Sequence, residues 1–268
     1  KIPLVLVNGR VTKKTFKKWK IFPKFAKKVF NNFDLCIASS HESRGNLNKL
    51  GVKKLTFIGN LKFSVKNESI NISEYNKAIL DNFEVWCAAS THKGEELIAI
   101  KTHIKIKEKY NNILTIIIPR HINRVSGIKN LSNKFNLNAQ ILNNKDIINS
   151  NTEILIINSF GVLSNYFSYC KNIFIGKSFL KNFEEVGGQN PIEAAKLGCQ
   201  ILHGPYVYNF QDIYNLLNSY GITEQVSNEK ELSLKIINNF KNPKKFNAEQ
   251  IDLLNAYGEK ILKETAKK

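Results

Sequence analysis

The residues best suited to chemistry lie in three stretches, each placed where an apolar run gives way to polar residues. In Glu185-Val186-Gly187-Gly188-Gln189-Asn190-Pro191-Ile192-Glu193-Ala194-Ala195, the glycines permit close backbone approach, Asn190 can cap a helix and Pro191 suits its first position. Amides at such a helix start would face an anion such as a phosphate. Glu193, in the first turn, can accept hydrogen bonds from vicinal hydroxyls like those of a ribose; the plainer reading is a capped helix whose Glu193 complements the dipole. In Ile116-Ile117-Ile118-Pro119-Arg120-His121, a buried strand ends abruptly in Pro, Arg and His. A guanidinium there can pair bidentately with phosphate or carboxylate, and His121 can donate to the same anion. In Trp86-Cys87-Ala88-Ala89-Ser90-Thr91-His92-Lys93-Gly94-Glu95-Glu96, a strand leads into hydroxyl residues and a helix start. There Ser90 or Thr91 can cap, with Glu95 and Glu96 in the first turns.

The elements that must position these groups alternate in type. Leu4–Val7, Asp34–Ala38 and Leu55–Ile58 read as strands, with a basic segment after the first and a helix from His41 after the second. A polar stretch over residues 64–76 reads as a linker. A second series follows, with strands at Val85–Ala89, Ile113–Ile118, Glu153–Ile157, Asn172–Ile175 and Gln200–Leu202. Its helices fall near 93–109, 160–170, 191–198, 209–219 and 228–240, and a terminal helix lies near 247–266. The near-continuous apolar strands predict parallel sheets covered on both faces. The fold class expected is α/β, two doubly wound Rossmann-like units with the first truncated, and with ligands at the carboxyl ends of the strands. Residues 1–63 form the end of a first domain, 64–76 the linker, 77–245 the second domain and 246–268 a C-terminal helix.

Composition narrows the partners. The chain has 268 residues, 43% of them hydrophobic, enough for real cores. Its four cysteines stand singly, without metal-ligand or disulfide spacing, which fits a reducing compartment. No apolar run approaches the roughly 18 residues that span a bilayer. There is no methionine, even at position 1, so further sequence is expected upstream of Lys1. The net charge of +18 comes with abundant Asn and Ile, a trio that AT-rich coding produces without any ligand. More specific is the run from Lys1 to Phe33, which has ten Lys or Arg and no acid, interleaved with Phe16, Trp19, Phe22 and Phe25. Such a segment can lie against an anionic membrane, each cation contributing on the order of 1 kcal/mol; the bland alternative is a solvated helical face.

Taken in order, Gly59-Asn60-Leu61-Lys62-Phe63, Ala88-Ala89-Ser90-Thr91-His92-Lys93-Gly94-Glu95-Glu96, Pro119-Arg120-His121, Gly187-Gly188-Gln189-Asn190-Pro191-Ile192-Glu193 and Gly204-Pro205-Tyr206-Val207-Tyr208-Asn209-Phe210 resemble the bacterial Kdo (3-deoxy-D-manno-octulosonic acid) transferases over essentially the whole chain. The resemblance implies a glycosyltransferase of GT-B type at the cytoplasmic face of the inner membrane. It needs no metal or other cofactor, and it moves Kdo from a CMP-Kdo donor to a lipid IVA acceptor in lipopolysaccharide assembly. It implies that Pro119, Arg120 and His121 approach the nucleotide and phosphate, with Arg120 stabilising the leaving group. Ser90, Thr91 and the loop Gly176-Lys177-Ser178 lie beside them; Gly187, Gly188, Asn190 and Glu193 hold phosphate and ribose; and Lys62 faces the donor carboxylate. The family's general base belongs to a region preceding Lys1, so the chain alone is expected to bind donor without transferring it.

Two positions depart from the family pattern. Gln189 replaces a usual His, and Asn158-Ser159-Phe160-Gly161-Val162-Leu163 stands where Asp-Thr-x-Gly-Glu-Leu is usual, losing both carboxylates. The rival readings are a GT-B-type transferase or epimerase using a UDP- or GDP-sugar, and a basic RNA- or membrane-binding protein. Without an RNA-binding motif or stacking platform, nucleic acid is not an expected partner.

Overall fold

A computed structural model describes residues 2–65, 72–243 and 248–268. It divides into two compact units, Lys1–Lys66 with Asp252–Lys268, and Asn67–Ile251. The first contains β1 (Val5–Gly9), α1 (Lys13–Trp19), α2 (Pro23–Phe30), β2 (Leu35–Ala38), α3 (His41–Lys49) and β3 (Leu55–Phe57). Its three strands are parallel in the order β1-β2-β3. The basic segment is two helices: Thr12 caps the first and Pro23 opens the second, where its missing N–H costs nothing. Phe16, Trp19, Ala26 and Phe30 turn inward against Leu47, Leu50 and Val52, while Ile21, Phe22 and Phe25 stay 60–68% exposed. β1 is an edge strand, and its Val5 and Val7 side chains are 45% and 47% exposed.

The second unit runs α4 (Glu74–Leu80), β4 (Glu84–Thr91), α5 (Glu95–Lys107), β5 (Ile113–Pro119), α6 (Val125–Asn133), β6 (Ala139–Leu142), β7 (Ile154–Ile157), α7 (Leu163–Phe167), β8 (Asn172–Ile175), α8 (Ile192–Lys196), β9 (Gln200–His203), α9 (Gln211–Ser219), β10 (Thr223–Gln225) and α10 (Glu229–Lys241). All seven strands are parallel, in the order β10-β9-β8-β4-β5-β7-β6. Every residue of β5, β7, β8 and β9 is buried, as expected of strands covered on both faces. The core behind the sheet gathers Trp86, Ile100, Ile117, Ile156, Phe174 and Ile236.

Several elements differ from the sequence reading. Residues 66–71 of the expected linker lie outside the described residues. Its last three, Glu74–Asn76, form the first turn of α4, capped by Ser73 and anchored where Asn76 bonds the Asp146 carbonyl and the Ile148 amide. The helices read near 160–170 and 191–198 shrink to five residues each, α8 ending before Gly198, whose φ is +69°. The terminal helix is α11 (Ala248–Ala266), and from Asp252 on it belongs to the first unit. There the Tyr257 and Phe63 rings meet edge-on at 5.1 Å, and the bare Gly258 admits the Phe63 carbonyl. Among the described residues no helix is long and apolar enough to cross a membrane.

Candidate functional site

In the second sheet, β5, β7 and β6 lie to one side of β4, and β8, β9 and β10 to the other. Chain direction across the sheet reverses between β4 and β8, and in open α/β sheets the crevice outside the strand carboxyl ends at such a point is where ligands bind. Two of the chemical stretches end there, and the third packs on the loop that follows β8, where the Gly188 amide donates to the Lys177 carbonyl. β5 runs on beside β4 as far as Pro119, paired with Thr91, and the Arg120 amide donates to the Thr91 carbonyl at 3.0 Å. Arg120 and His121 are exposed just past that pairing.

His92 holds the centre. Its ring meets His121 edge-on at 5.7 Å and Phe183 at 5.6 Å, and its Nδ1 lies 3.1 Å from the Ser90 carbonyl. Burial lowers the His92 pKa, a fall helped by nearby Lys177 and His121 and opposed by the Ser90 carbonyl and Glu96. The ring is therefore neutral at pH 7.

The turn from β4 into α5 is not built as expected. Neither Ser90 nor Thr91 caps α5: Gly94 does, at φ +99° and without a side-chain bond. Ser90 takes a left-handed φ of +55°. Thr91 ends β4 fully buried, its hydroxyl lacking a hydrogen-bond partner among the described residues.

Glu95, also fully buried, accepts from four backbone amides: His92 at 2.9 Å, Lys177 at 2.7 Å, Ser178 at 2.9 Å and Phe179 at 3.1 Å. Desolvation raises its pKa, the four amide bonds working against that rise. Arg124 pairs bidentately with Glu96, its Nη1 donating to Oε1 at 2.5 Å and its Nη2 to Oε2 at 2.8 Å.

The glycine-rich stretch differs too. A side chain at Gly187 would strike the Tyr206, Phe183 and Lys177 carbonyl oxygens, and one at Gly188, with φ +89°, would come within 2.9 Å of the Val207 carbonyl. The Gly187 and Gly188 amides donate to the Phe183 and Lys177 carbonyls, both at 2.6 Å. These glycines thus let protein backbones cross, and their amides are engaged rather than held out to a ligand. Gly176 does the same at the end of β8, where a Cβ would lie 2.7 Å from Thr91 Cα. Ser178 is buried, its hydroxyl donating to the Ile175 carbonyl at 2.6 Å and accepting from the Gly204 amide at 2.9 Å.

Asn190 accepts a long bond, 3.4 Å, from the Ile192 amide. Glu193, half-buried beyond it, has a pKa raised by desolvation and held back by hydrogen bonds from the Ser164 hydroxyl and amide. The departing motif at 158–163 is tied to the loop after β6, Asn158 donating to Asn143 at 2.8 Å and Ser159 to Asn144 at 2.7 Å. Lys62 belongs to the first unit, exposed on a 3-10 turn capped by Asn60. His92, Glu95 and Glu96 join these residues without being expected among them; the spacing His-x-x-Glu-Glu at a strand-to-helix turn is the sequence signal for them.

Comparison with known proteins agrees with this architecture. The family described as 3-Deoxy-D-manno-octulosonic-acid transferase (kdotransferase) matches residues 1–65. The 3-deoxy-D-manno-octulosonic acid transferase of Rickettsia typhi is 32% identical over 97% of this chain and 57% of its own length. That of Rickettsia prowazekii is 31% identical over 85% of this chain and 49% of its own length. Among solved structures, the C-terminal CMP-Kdo binding domain of WaaA from Acinetobacter baumannii superposes with a TM-score of 0.57 at 21% identity, covering 70% of this chain and 94% of that one. Anabaena Alr3699/HepE in complex with UDP gives 0.54 at 12% identity, over 99% of this chain and 71% of that one. These likenesses establish an α/β fold with parallel sheets, of the kind found in GT-B glycosyltransferases. The chain spans about half the length of the curated relatives it matches, and over most of its own length it is similar to 3-deoxy-D-manno-octulosonic acid transferases.

Proposed function

We propose that the chain carries the donor-binding part of a glycosyltransferase that moves Kdo from CMP-Kdo onto a lipid A precursor, lipid IVA, in lipopolysaccharide assembly. The supporting observation is the convergence of two strand-end motifs at one switch point of the second sheet, with the third stretch packed on the loop after β8, in a chain whose relatives are Kdo transferases. In the reaction, the bond between the anomeric carbon and the CMP phosphate oxygen breaks, CMP departs as a phosphate monoester, and an acceptor hydroxyl oxygen bonds the carbon. Arg120 sits where a guanidinium balances charge building on the departing phosphate. His121 and His92 flank the same space, and the loop carrying Lys177 brings a further cation to it. Glu193 is the carboxylate proposed to accept from ribose hydroxyls, its Ser164 bonds fixing its direction. The acceptor proton goes to a general base.

Thermal denaturation with CMP, UDP and GDP tests the assignment. A ligand at about a hundred times its Kd stabilises the folded state by about 2.7 kcal/mol, so CMP is expected to raise the melting temperature while UDP and GDP leave it near its unliganded value. Preferential stabilisation by UDP would replace this reading with a UDP-sugar transferase or epimerase, the alternative favoured by the fold likeness to the UDP complex of Alr3699/HepE.

We assign the exposed Ile21, Phe22 and Phe25, ringed by the lysines of α1 and α2, to the anionic inner-membrane surface that presents the acceptor, on its cytoplasmic face. Aromatic and aliphatic side chains set among cations are the composition that binds such interfaces.

A further inference from the structure

Glu95 and Glu96 are neighbours in sequence, yet their carboxylates hold different parts of the crevice. Glu95 gathers the Lys177, Ser178 and Phe179 amides, which fixes the loop after β8. The bare Gly176 beside it makes room, since a Cβ there would stand 2.9 Å from Glu95 Oε2. The fourth bond, from the His92 amide, ties the same carboxylate to the turn that carries the His92 ring. Glu96 turns the other way and clamps Arg124, three residues after His121 and four after Arg120. Both carboxylates are almost wholly buried. Buried charges are costly, and removing a partner from such a set costs far more than a surface contact returns. Neither group reaches open solvent to touch a ligand itself.

Resting on the donor-site reading above, we propose that Glu95 and Glu96 are paired positioning residues. Together they fix the spacing between the loop of Lys177 and the turn of Arg120 and His121, and so set how tightly a nucleotide phosphate is held. A Glu95→Gln side chain would point its amide N–H groups at two of the four backbone donors, releasing part of the loop. Arg124→Gln would loosen the other side, by leaving the buried Glu96 carboxylate without its guanidinium.

Isothermal titration of CMP onto the whole chain, well below its melting temperature, tests this. Glu153→Gln serves as the comparison: it breaks an ion pair with Lys107 near the amino end of β7, away from the crevice. Both E95Q and R124Q are expected to weaken CMP binding by at least about tenfold, since displacements near 1 Å in a binding constellation have effects of that size or larger. E153Q is expected to lose thermal stability while keeping the wild-type Kd. Amide exchange without ligand is expected to show either Lys177 or the pair Ser178 and Phe179 losing protection in E95Q alone, according to which carboxylate oxygen the amide replaces. Wild-type CMP affinity in a folded R124Q, or in a folded E95Q, overturns the proposal. A similar loss of affinity in E153Q overturns it too, because the effect would then be general destabilisation. Absence of CMP binding by the wild-type chain is a separate result that removes the donor-site reading, and the positioning role with it.

Discussion

His103 is enclosed between α5 and β5, its Nδ1 2.9 Å from Thr115 Oγ1 and its Nε2 3.8 Å from Glu153 Oε1. Burial drives its pKa from 6.5 down to about 4, overcoming the opposing pull of Glu153. Between those values the unfolded chain binds a proton that the folded chain refuses, so stability falls as pH drops from about 6.5 to about 4 and the loss is complete below that window. At roughly 1.4 kcal/mol per pKa unit, the fall is about 3 kcal/mol. Urea melts across that range should show this slope, and His103→Gln should flatten it; an unchanged slope in the variant would place the titration elsewhere. The same scale separates what the sequence disclosed about the site from what it hid. The place of Arg120 and His121 just past β5 was legible because a strand end is a local pattern. The sequence sets the helix start one residue early: Pro191, not Asn190, holds the cap position of α8, without a side-chain bond. The duties of Gly187 and Gly188 were not legible, because the backbones they admit, at Tyr206 and Val207, arrive from a later loop. Glu95 was hidden for the same reason: its partners at Lys177–Phe179 lie more than eighty residues away.

Among the elements, α1 and α2 carry the clearest surface expectation. The inward stripe of Phe16, Trp19, Ala26 and Phe30 uses up one face, which leaves Phe22 and Phe25 outward beside Lys18, Lys24 and Lys28. The chain should co-sediment with vesicles of phosphatidylethanolamine and phosphatidylglycerol at low salt and release at high salt, as screening predicts. Ile21→Ser with Phe22→Gln should weaken that binding with little change in melting temperature, since both side chains are about two-thirds exposed and neither belongs to the core cluster; undiminished binding would leave charge alone as the cause. Strands β2, β4, β5, β7, β8 and β9 were readable as apolar runs. β6 (Ala-Gln-Ile-Leu) and β10 (Thr-Glu-Gln) were not, because the outermost strands of a sheet are less covered and need no continuous apolar run. The sequence Val125–Asn133 makes α6 despite Gly127 and two Asn because Val125 and Ile128 are buried against the sheet, a tertiary gain that outweighs weak local propensity.

At the scale of the whole molecule, the chain folds as two α/β units, and the strand-end motifs of the proposed donor site belong to the second. The chain spans about half the length of its curated relatives, and on the donor-site reading we expect it to bind CMP-Kdo and to transfer no Kdo by itself. Incubation with CMP-Kdo and lipid IVA, followed by mass spectrometry of the lipid, checks this, and any Kdo-bearing product refutes it. The edge position of β1 bears on how such an experiment must be run. A strand with one row of backbone donors and acceptors on offer, and with Val5 and Val7 near half exposure, is a template onto which another strand can add. Its +18 charge keeps copies apart at low ionic strength, and salt removes that protection. Light scattering should therefore show self-association that grows with salt and protein concentration and that Val7→Lys suppresses, so the conditions that strip the chain from lipid are those in which it will stick to itself.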